Sequence, residues 1–292
     1  MPPGEKRGLV VATSIAGARE AMEAARRGGL SSGFVPTMGA LHEGHRKLIQ
    51  AARHECDWLA VSIFVNPTQF GPEEDFDTYP RDLDSDLAMC RQLGVDLVFQ
   101  PGRDEVYPAT HRTFVEVETV TSHLCGRFRP GHFRGVATVV LKLLNILQPD
   151  RAYFGEKDAQ QTVVVRQLVK DLNLPVDIRQ VPTVREFDGL AISSRNQHLG
   201  PQERRAATVL FRALKEIRTM VLQGARDAGR IRRRGLRLLS QEPLVEVEYL
   251  EMVDPETMQP ISQVRGPARA AAAIRVGGVR LIDNLLCEDA GR

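Results

Sequence analysis

Lysine is scarce in this chain: six occur in 292 residues, against 33 arginines. Most cationic positions therefore carry a planar guanidinium, and a lysine at a strand end or turn stands out. Cysteine is sparse as well. Cys56, Cys90, Cys125 and Cys287 are far apart, with no CxxC pair and no histidine at zinc-finger spacing, which excludes a disulfide scaffold or zinc module and predicts reduced thiols in a cytoplasmic protein. Long apolar runs are missing too: nothing approaches the ~18 residues of a membrane span, and the charged start Met1–Arg7 leads into only a short apolar run. No bilayer segment and no secretory leader is expected. Nor does one sign of charge dominate, because 39 basic residues face 37 acidic ones for a net +2, which argues against a purely electrostatic binder.

What the sequence has is a hydrophobic content of 42%, enough for one large or two ordinary domains. Short β-branched or apolar runs alternate with segments of helical period through the first 185 residues, the sign of βαβ units around a parallel sheet. The pattern predicts strands at Gly33–Pro36, Leu59–Val65, Asp96–Phe99, Arg151–Phe154 and Val176–Val181, with an edge strand at Leu9–Ala12. Helices are predicted at His45–Cys56, Asp82–Leu93, Arg134–Leu147 and Asp158–Leu172. Beyond Asp188 the texture changes to Arg-rich helical stretches at Gln202–Leu222 and Ala225–Leu239, then β-like runs at Val245–Val253, Ala270–Val276 and Val279–Leu285. The expected architecture is α/β: a Rossmann-like parallel-sheet domain over 1–187 and a smaller α+β lid domain over 188–292.

Charge is segregated along the chain. Residues 201–240 hold eleven basic and three acidic groups, and residues 73–86 hold seven acids and one arginine. The basic stretch reads as a solvated helix face, and a nucleic-acid partner is the minor alternative.

The most informative string is Phe34-Val-Pro-Thr-Met-Gly-Ala-Leu-His42-Glu-Gly-His45, which ends a strand, turns at Gly39 and enters a helix at about His45. A helix N-terminus attracts phosphate, and imidazoles three positions apart can flank one phosphate chain. Gly44 leaves room for a base or ribose to approach the backbone. Alone, such a pair would more often be a surface feature or a metal pair. Asn66-Pro-Thr-Gln69 supplies two amides just after a strand, suited to the hydroxyl and carboxylate groups of a small acid. In Gly155-Glu-Lys157-Asp158 the lysine sits between strand and helix, at the sheet edge where open α/β folds bind ligands.

The string from Pro36 to His45 resembles the HIGH signature of a nucleotidyltransferase superfamily, and its flanks resemble the pantothenate synthetases. Phe64-Val-Asn-Pro-Thr-Gln-Phe70, Phe154-Gly-Glu-Lys-Asp-Ala-Gln-Gln161 and Val184-Arg-Glu-Phe-Asp-Gly-Leu-Ala-Ile-Ser-Ser-Arg-Asn196 are similar to the same family in the same order. The resemblance implies ATP-dependent condensation of pantoate with β-alanine through a pantoyl adenylate. It implies an ATP site made by Met38, Gly39, Ala40, Leu41, His42, Glu43, Gly44 and His45, by Gly155, Glu156, Lys157 and Asp158, and by Val184, Ile192, Ser193, Ser194 and Arg195. His42, His45, Lys157 and Arg195 would be catalytic, with Arg195 where the superfamily's mobile KMSKS loop has its second lysine. Gln69 and Gln161 would bind pantoate with Asn66 close by, Gln69 would also lie near β-alanine, and Met38 and Phe64 would form an apolar wall. Mg²⁺ would arrive with ATP and be held mainly by its phosphates, and a homodimer is implied as well. Arg127-Phe-Arg-Pro-Gly-His132-Phe-Arg134-Gly135 fits the family without an assigned role. A transferase of the same superfamily that moves AMP onto a phosphate would call for more cations than the Asn66, Gln69 and Gln161 set offers, and a tRNA synthetase would need more chain.

Overall fold

A computed structural model describes residues 8–72 and 74–288. Met1–Arg7, and Glu73 of the acidic stretch, lie outside the described residues. The chain forms two compact units. The first comprises the described residues up to Val117, with Gly131–Glu156 and Val164–Pro182; the second comprises Glu118–Pro130, Lys157–Val163 and the described residues from Thr183 onward. Compactness thus divides the chain at 182/183, where sequence texture suggested 187/188, and assigns two earlier segments to the second unit.

In chain order the elements up to residue 181 are β1 (Val10–Ala12), α1 (Ile15–Arg27), β2 (Ser32–Thr37), α2 (Glu43–Glu55), β3 (Trp58–Ile63), α3 (Leu83–Gln92), β4 (Leu97–Phe99), the one-turn α4 (Arg103–Val106) and α5 (Cys125–Phe128), α6 (His132–Leu147), β5 (Arg151–Gly155), α7 (Ala159–Asp171) and β6 (Asp177–Val181). Six strands form one sheet in the order β1-β4-β3-β2-β5-β6, and every pairing among its described residues is parallel. The expected strands are all present within two residues at either end, and Val10–Ala12 lies at the sheet edge as predicted. Helix α1 was not anticipated. Its buried face is Ala18, Met22 and Ala25, and alanine contributes little to a hydrophobic period.

Both faces of a parallel sheet need cover. Ile49 and Ala52 of α2, with Leu87 and Cys90 of α3, join Val35, Val61 and Val98 in one buried cluster. The alternate residue Phe34, also fully buried, points to the other face by the two-residue period of a strand. Helix α6 is apolar nearly all round, as its buried Phe133, Val136, Val139, Val140, Leu143 and Leu147 indicate, so it belongs inside.

Strand β2 contains Pro36, an unusual residue for an interior strand because it cannot donate to a ladder. On the β3 side the pairing runs along all of β2, from Ser32↔Trp58 to Thr37↔Ile63. On the β5 side it stops at Phe34↔Ala152, before the proline. The carboxyl ends of β2 and β5 therefore part at the point where strand order reverses, from β2-β3-β4 on one side to β5-β6 on the other. Such a switch point is where open α/β sheets take ligands.

The second unit adds α8 (Pro201–Ala206), α9 (Val209–Leu222) and α10 (Ala228–Leu239), then β7 (Val245–Val253), β8 (Ala268–Val276) and β9 (Val279–Cys287). The single helix expected over Gln202–Leu222 is thus broken: the Thr208 hydroxyl donates to the Arg205 carbonyl at 2.8 Å, and Leu210 N–H reaches only as far back as Ala207 O, a tighter step than the α-helix allows. The three strands are antiparallel in the order β7-β8-β9. Their core joins Leu210, Leu214 and Ile217 of α9, Ile231 and Leu239 of α10, and the sheet residues Leu250, Ala270, Ala272 and Ile274. Alanines in the middle strand and Gly235 in α10 keep these layers close, since a Cβ on Gly235 would stand 2.6 Å from both Ile217 Cδ1 and Leu250 Cδ2. All four cysteines are free and buried.

Candidate active site

The loop after β2 adopts a left-handed backbone at two successive residues, Gly39 (φ 86°) and Ala40 (φ 51°). A side chain at Gly39 would also collide with its surroundings, its Cβ standing 2.9 Å from Asp86 Oδ2. The left-handed turn presents consecutive amides to one carboxylate: Ala40 N–H donates to Asp86 Oδ2 at 3.0 Å and Leu41 N–H to Asp86 Oδ1 at 2.7 Å. Asp86, from α3, is 2% exposed. Burial pushes its carboxyl up, and the two amide bonds counteract that shift. The sequence placed Asp86 only within an acidic run; the structure makes it the clamp of this loop.

Helix α2 begins at Glu43 rather than at about His45, because His42 is its N-cap. The His42 Nδ1 accepts from Gly44 N–H at 3.1 Å, and His45 Nδ1 accepts from His42 N–H at 3.3 Å. This is a capping box made by two imidazoles. With both Nδ1 atoms acting as acceptors, each neutral ring carries its proton on Nε2. The rings lie 4.1 Å apart between centroids. Gly44 acquires a more immediate reason than room for a base: a Cβ there would sit 2.9 Å from His42 Cε1, so glycine makes the imidazole cap possible.

The amide set after β3 is built around a 3₁₀ turn over Pro67–Gln69. Asn66 is buried; its Oδ1 accepts from Thr68 N–H and hydroxyl, and its Nδ2 donates to Gln69 Oε1 (3.0 Å) and Gly135 O (3.1 Å). Gln69 is half-buried, and its Nε2 contacts Met38 Sδ at 3.1 Å. Met38, Asn66 and Gln69 are therefore brought together. Phe64 is buried 6.2 Å from the Tyr107 ring. Two residues of the unassigned basic string support this turn. His132 Nδ1 bonds Gln69 O at 2.9 Å, and Gly135 lets α6 approach so closely that a Cβ would stand 2.3 Å from Thr68 O. Arg134 lies over the Phe114 ring at 3.8 Å.

Gly155 ends β5 and Glu156–Asp158 form a one-turn 3₁₀ helix before α7. In the second unit, Lys157 Nζ is 3.5 Å from Asp158 Oδ1, and its side chain is 20% exposed. The neighbouring glutamines differ in use. Gln160 is buried and bonds Cys125 N–H, Val120 O and His123 O, whereas Gln161 is only partly buried on the first turn of α7.

The segment from Val184 to Asn196 is ordered by bonds within it and by neighbours in the second unit. Ile192 N–H donates to Val184 O at 3.0 Å, and Gly189 (φ 95°) turns the chain against Phe211. Arg204 bonds both Asp188 and Glu186, and its guanidinium holds the Asp188 carboxyl below the usual range. Ser193 caps a 3₁₀ turn over Ser194–His198 by accepting from Arg195 N–H at 3.3 Å. The polar run bearing Arg195 is thus a capped turn.

Strands of an all-parallel sheet that separate at the switch point, followed by an imidazole-capped helix, give the first unit the form of a Rossmann-like nucleotide-site domain. The chain belongs to the pantoate–β-alanine ligase family, whose pattern it matches over residues 10–286. The pantothenate synthetase of Pelotomaculum thermopropionicum is 50% identical over 278 residues, covering 95% of this chain and 99% of that protein. That of Moorella thermoacetica is 51% identical over 275 residues, covering 94% and 97%. Among solved structures, a pantothenate synthetase from Thermus thermophilus superposes with a TM-score of 0.90 at 47% identity, covering 96% of this chain and 99% of that one. A pantoate–β-alanine ligase from Francisella tularensis, complexed with β,γ-ATP and β-alanine, gives 0.80 at 34% identity, covering 97% and 99%.

Asp86→Asn tests the clamp. An amide offers one acceptor oxygen and turns its NH₂ toward the other backbone donor, leaving that N–H unsatisfied at a cost of about 1–3 kcal/mol. The expected outcome is weaker ATP binding with pantoate binding retained, measured by calorimetry on the folded variant; unchanged ATP affinity would contradict it.

Proposed function

We propose that this ligase joins pantoate to β-alanine with cleavage of ATP to AMP and pyrophosphate, through a pantoyl adenylate. The observation that carries the reading is the imidazole-capped start of α2 at the switch point in a chain whose family match spans residues 10–286. Direct attack of an amine on a carboxylate would have to expel an oxide. Adenylation removes that obstacle: a pantoate carboxylate oxygen attacks the α-phosphorus and releases pyrophosphate, and the β-alanine amine then attacks the acyl carbon and releases AMP. No covalent enzyme nucleophile is needed, so the protein's contribution is positioning and charge stabilisation.

In this reading the Nε2–H groups of His42 and His45 donate to the triphosphate, and Lys157 and Arg195 neutralise charge that builds on the departing pyrophosphate. The nucleotide is also met by Met38, Gly39, Ala40 and Leu41, by Glu43 and Gly44, by Gly155, Glu156 and Asp158, and by Val184, Ile192, Ser193 and Ser194. The fixed Nε2 tautomers of the histidines support their role as donors. Gln69 and Gln161 hold pantoate with Asn66 close by, Gln69 also faces β-alanine, and Met38 and Phe64 line the gem-dimethyl group. The contact of Gln69 with both Asn66 and Met38 supports this grouping, as does the difference between buried Gln160 and accessible Gln161. Mg²⁺ is part of the nucleotide substrate here. The Asp86 carboxylate accepts from two backbone amides, which supports a metal carried by the nucleotide's phosphates rather than by this side chain. The resemblance also supports a homodimeric, cytoplasmic enzyme acting on small molecules.

AMP release should require both ATP and pantoate; release that ignores pantoate would overturn the reading. His45→Ala and Lys157→Ala are each expected to slow single-turnover pyrophosphate formation by roughly 10²-fold, the scale of losing one transition-state donor. Gln161→Ala should weaken pantoate binding in calorimetry while ATP binding stays near wild type, and equal losses for both ligands would count against its assignment.

A further inference from the structure

Strand β9 lies at the edge of the second unit's sheet and carries two consecutive buried polar residues, Asp283 (3% exposed) and Asn284 (5% exposed). Their partners across the ladder on β8 are alanines, Ala272 and Ala271, which leave room for polar side chains to reach past the strand. Asp283 receives both arms of the Arg185 guanidinium, at 2.6 and 2.9 Å. Arg185 directly follows Val184, so this pair fixes the start of the segment that leads to Arg195. Asn284 reaches the other cationic segment: its Nδ2 donates to the backbone carbonyl of Lys157 at 2.9 Å, across 127 residues of sequence.

The direction of that amide is settled by its neighbours. Its Oδ1 accepts from Nη1 of Arg269, a buried arginine on β8, and a guanidinium can only donate. The NH₂ end must therefore face Lys157, whose carbonyl can only accept. The arrangement forms a chain from Arg269 through Asn284 to Lys157, in which a buried cation sets the amide and the amide sets the backbone of the turn. Glu156–Asp158 is a single turn between β5 and α7, and it follows Gly155, around which a Cβ would find nothing within 4 Å. The Asn284 bond ties this turn to β9.

We propose that Asn284 is a positioning residue for Lys157, holding the lysine's backbone so that its ammonium meets the triphosphate in the geometry adenylation requires. The proposal rests on the reading of Lys157 as a phosphate-binding cation. Lysine has a flexible four-carbon stem, so its reach is only as well defined as the main chain that carries it, and misplacing a catalytic group by ~1 Å can cost ~10²-fold in rate. Asp283 and Arg185 do the same kind of work for the segment that bears Arg195.

Asn284→Asp separates the two contacts of the amide. It keeps volume and an acceptor for Arg269, but replaces the donor to Lys157 with an oxygen facing a carbonyl oxygen. Asn284→Ser shortens the side chain without adding charge and serves as the neutral counterpart if the aspartate variant does not fold. Each is combined with Lys157→Ala, and single-turnover pyrophosphate formation is measured alongside thermal melting. In the wild-type background each Asn284 variant should slow the step by about tenfold, and in the Lys157→Ala background it should add almost nothing, because coupled residues are not additive. A wild-type rate for the Asn284 variants, or the same fold-loss in both backgrounds, overturns the positioning role. Lys157→Ala at wild-type rate is a separate outcome, which sinks the assignment of Lys157 itself and the proposal with it.

Discussion

The arrangement of the first unit depends on one constraint: six parallel strands deliver all their carboxyl ends to the same sheet edge, and Pro36 stops β2 from pairing with β5 all the way to that edge. A proline has no N–H to give, so the ladder ends two residues earlier. Strand β2 leads into Met38–His45 and strand β5 into Glu156–Asp158, the strings to which the proposed function assigns phosphate contacts. The end of the β2–β5 ladder is thus a consequence of sequence.

Much of what surrounds these motifs serves to free or orient a few polar atoms. The imidazoles of His42 and His45 satisfy helix N–H groups through Nδ1, which determines where their protons lie. Asp86 takes up the amides of a left-handed loop that would otherwise resemble an anion nest, so in the proposed function anion recognition falls to the histidines and the start of α2. Arg185 and Arg204 are locked into carboxylates, while Lys157 makes a looser 3.5 Å contact with Asp158 and lies within electrostatic reach of Asp283. The scarcity of lysine noted in the sequence thus corresponds to a division of labour in which planar forks hold the structure and a compact ammonium remains at the strand-end turn.

The parts of this picture that were legible in the sequence are those where local pattern decides. Alternating β-branched runs and helical periods located the strands of both sheets, and the order of strings from Pro36 to Asn196 located the motifs. The start of α2 was misplaced because histidine is not a usual N-cap, and only its geometry reveals the capping role. Helix α1 was missed because its inward face is mostly alanine. Asp86, Asn284 and Gly135 were beyond reach for a different reason: each acts on a partner 45 or more residues away, and nothing in an acidic run, an apolar strand or a basic loop announces such a partner. The unit boundary was obscured similarly, since 118–130 and 157–163 join the second unit through contacts that local texture does not mark.

Two of the four buried thiols, Cys90 and Cys287, carry a further consequence. Burial pushes the Cys90 thiol up to about 12, with Asp86 adding to the shift, and burial likewise raises Cys287. A thiol with such a pKa is almost wholly protonated at neutral pH, and only the thiolate reacts readily with oxidants or electrophiles. The proposed chemistry uses no sulfur nucleophile either, so neither of these two thiols has to ionise for the reaction to run.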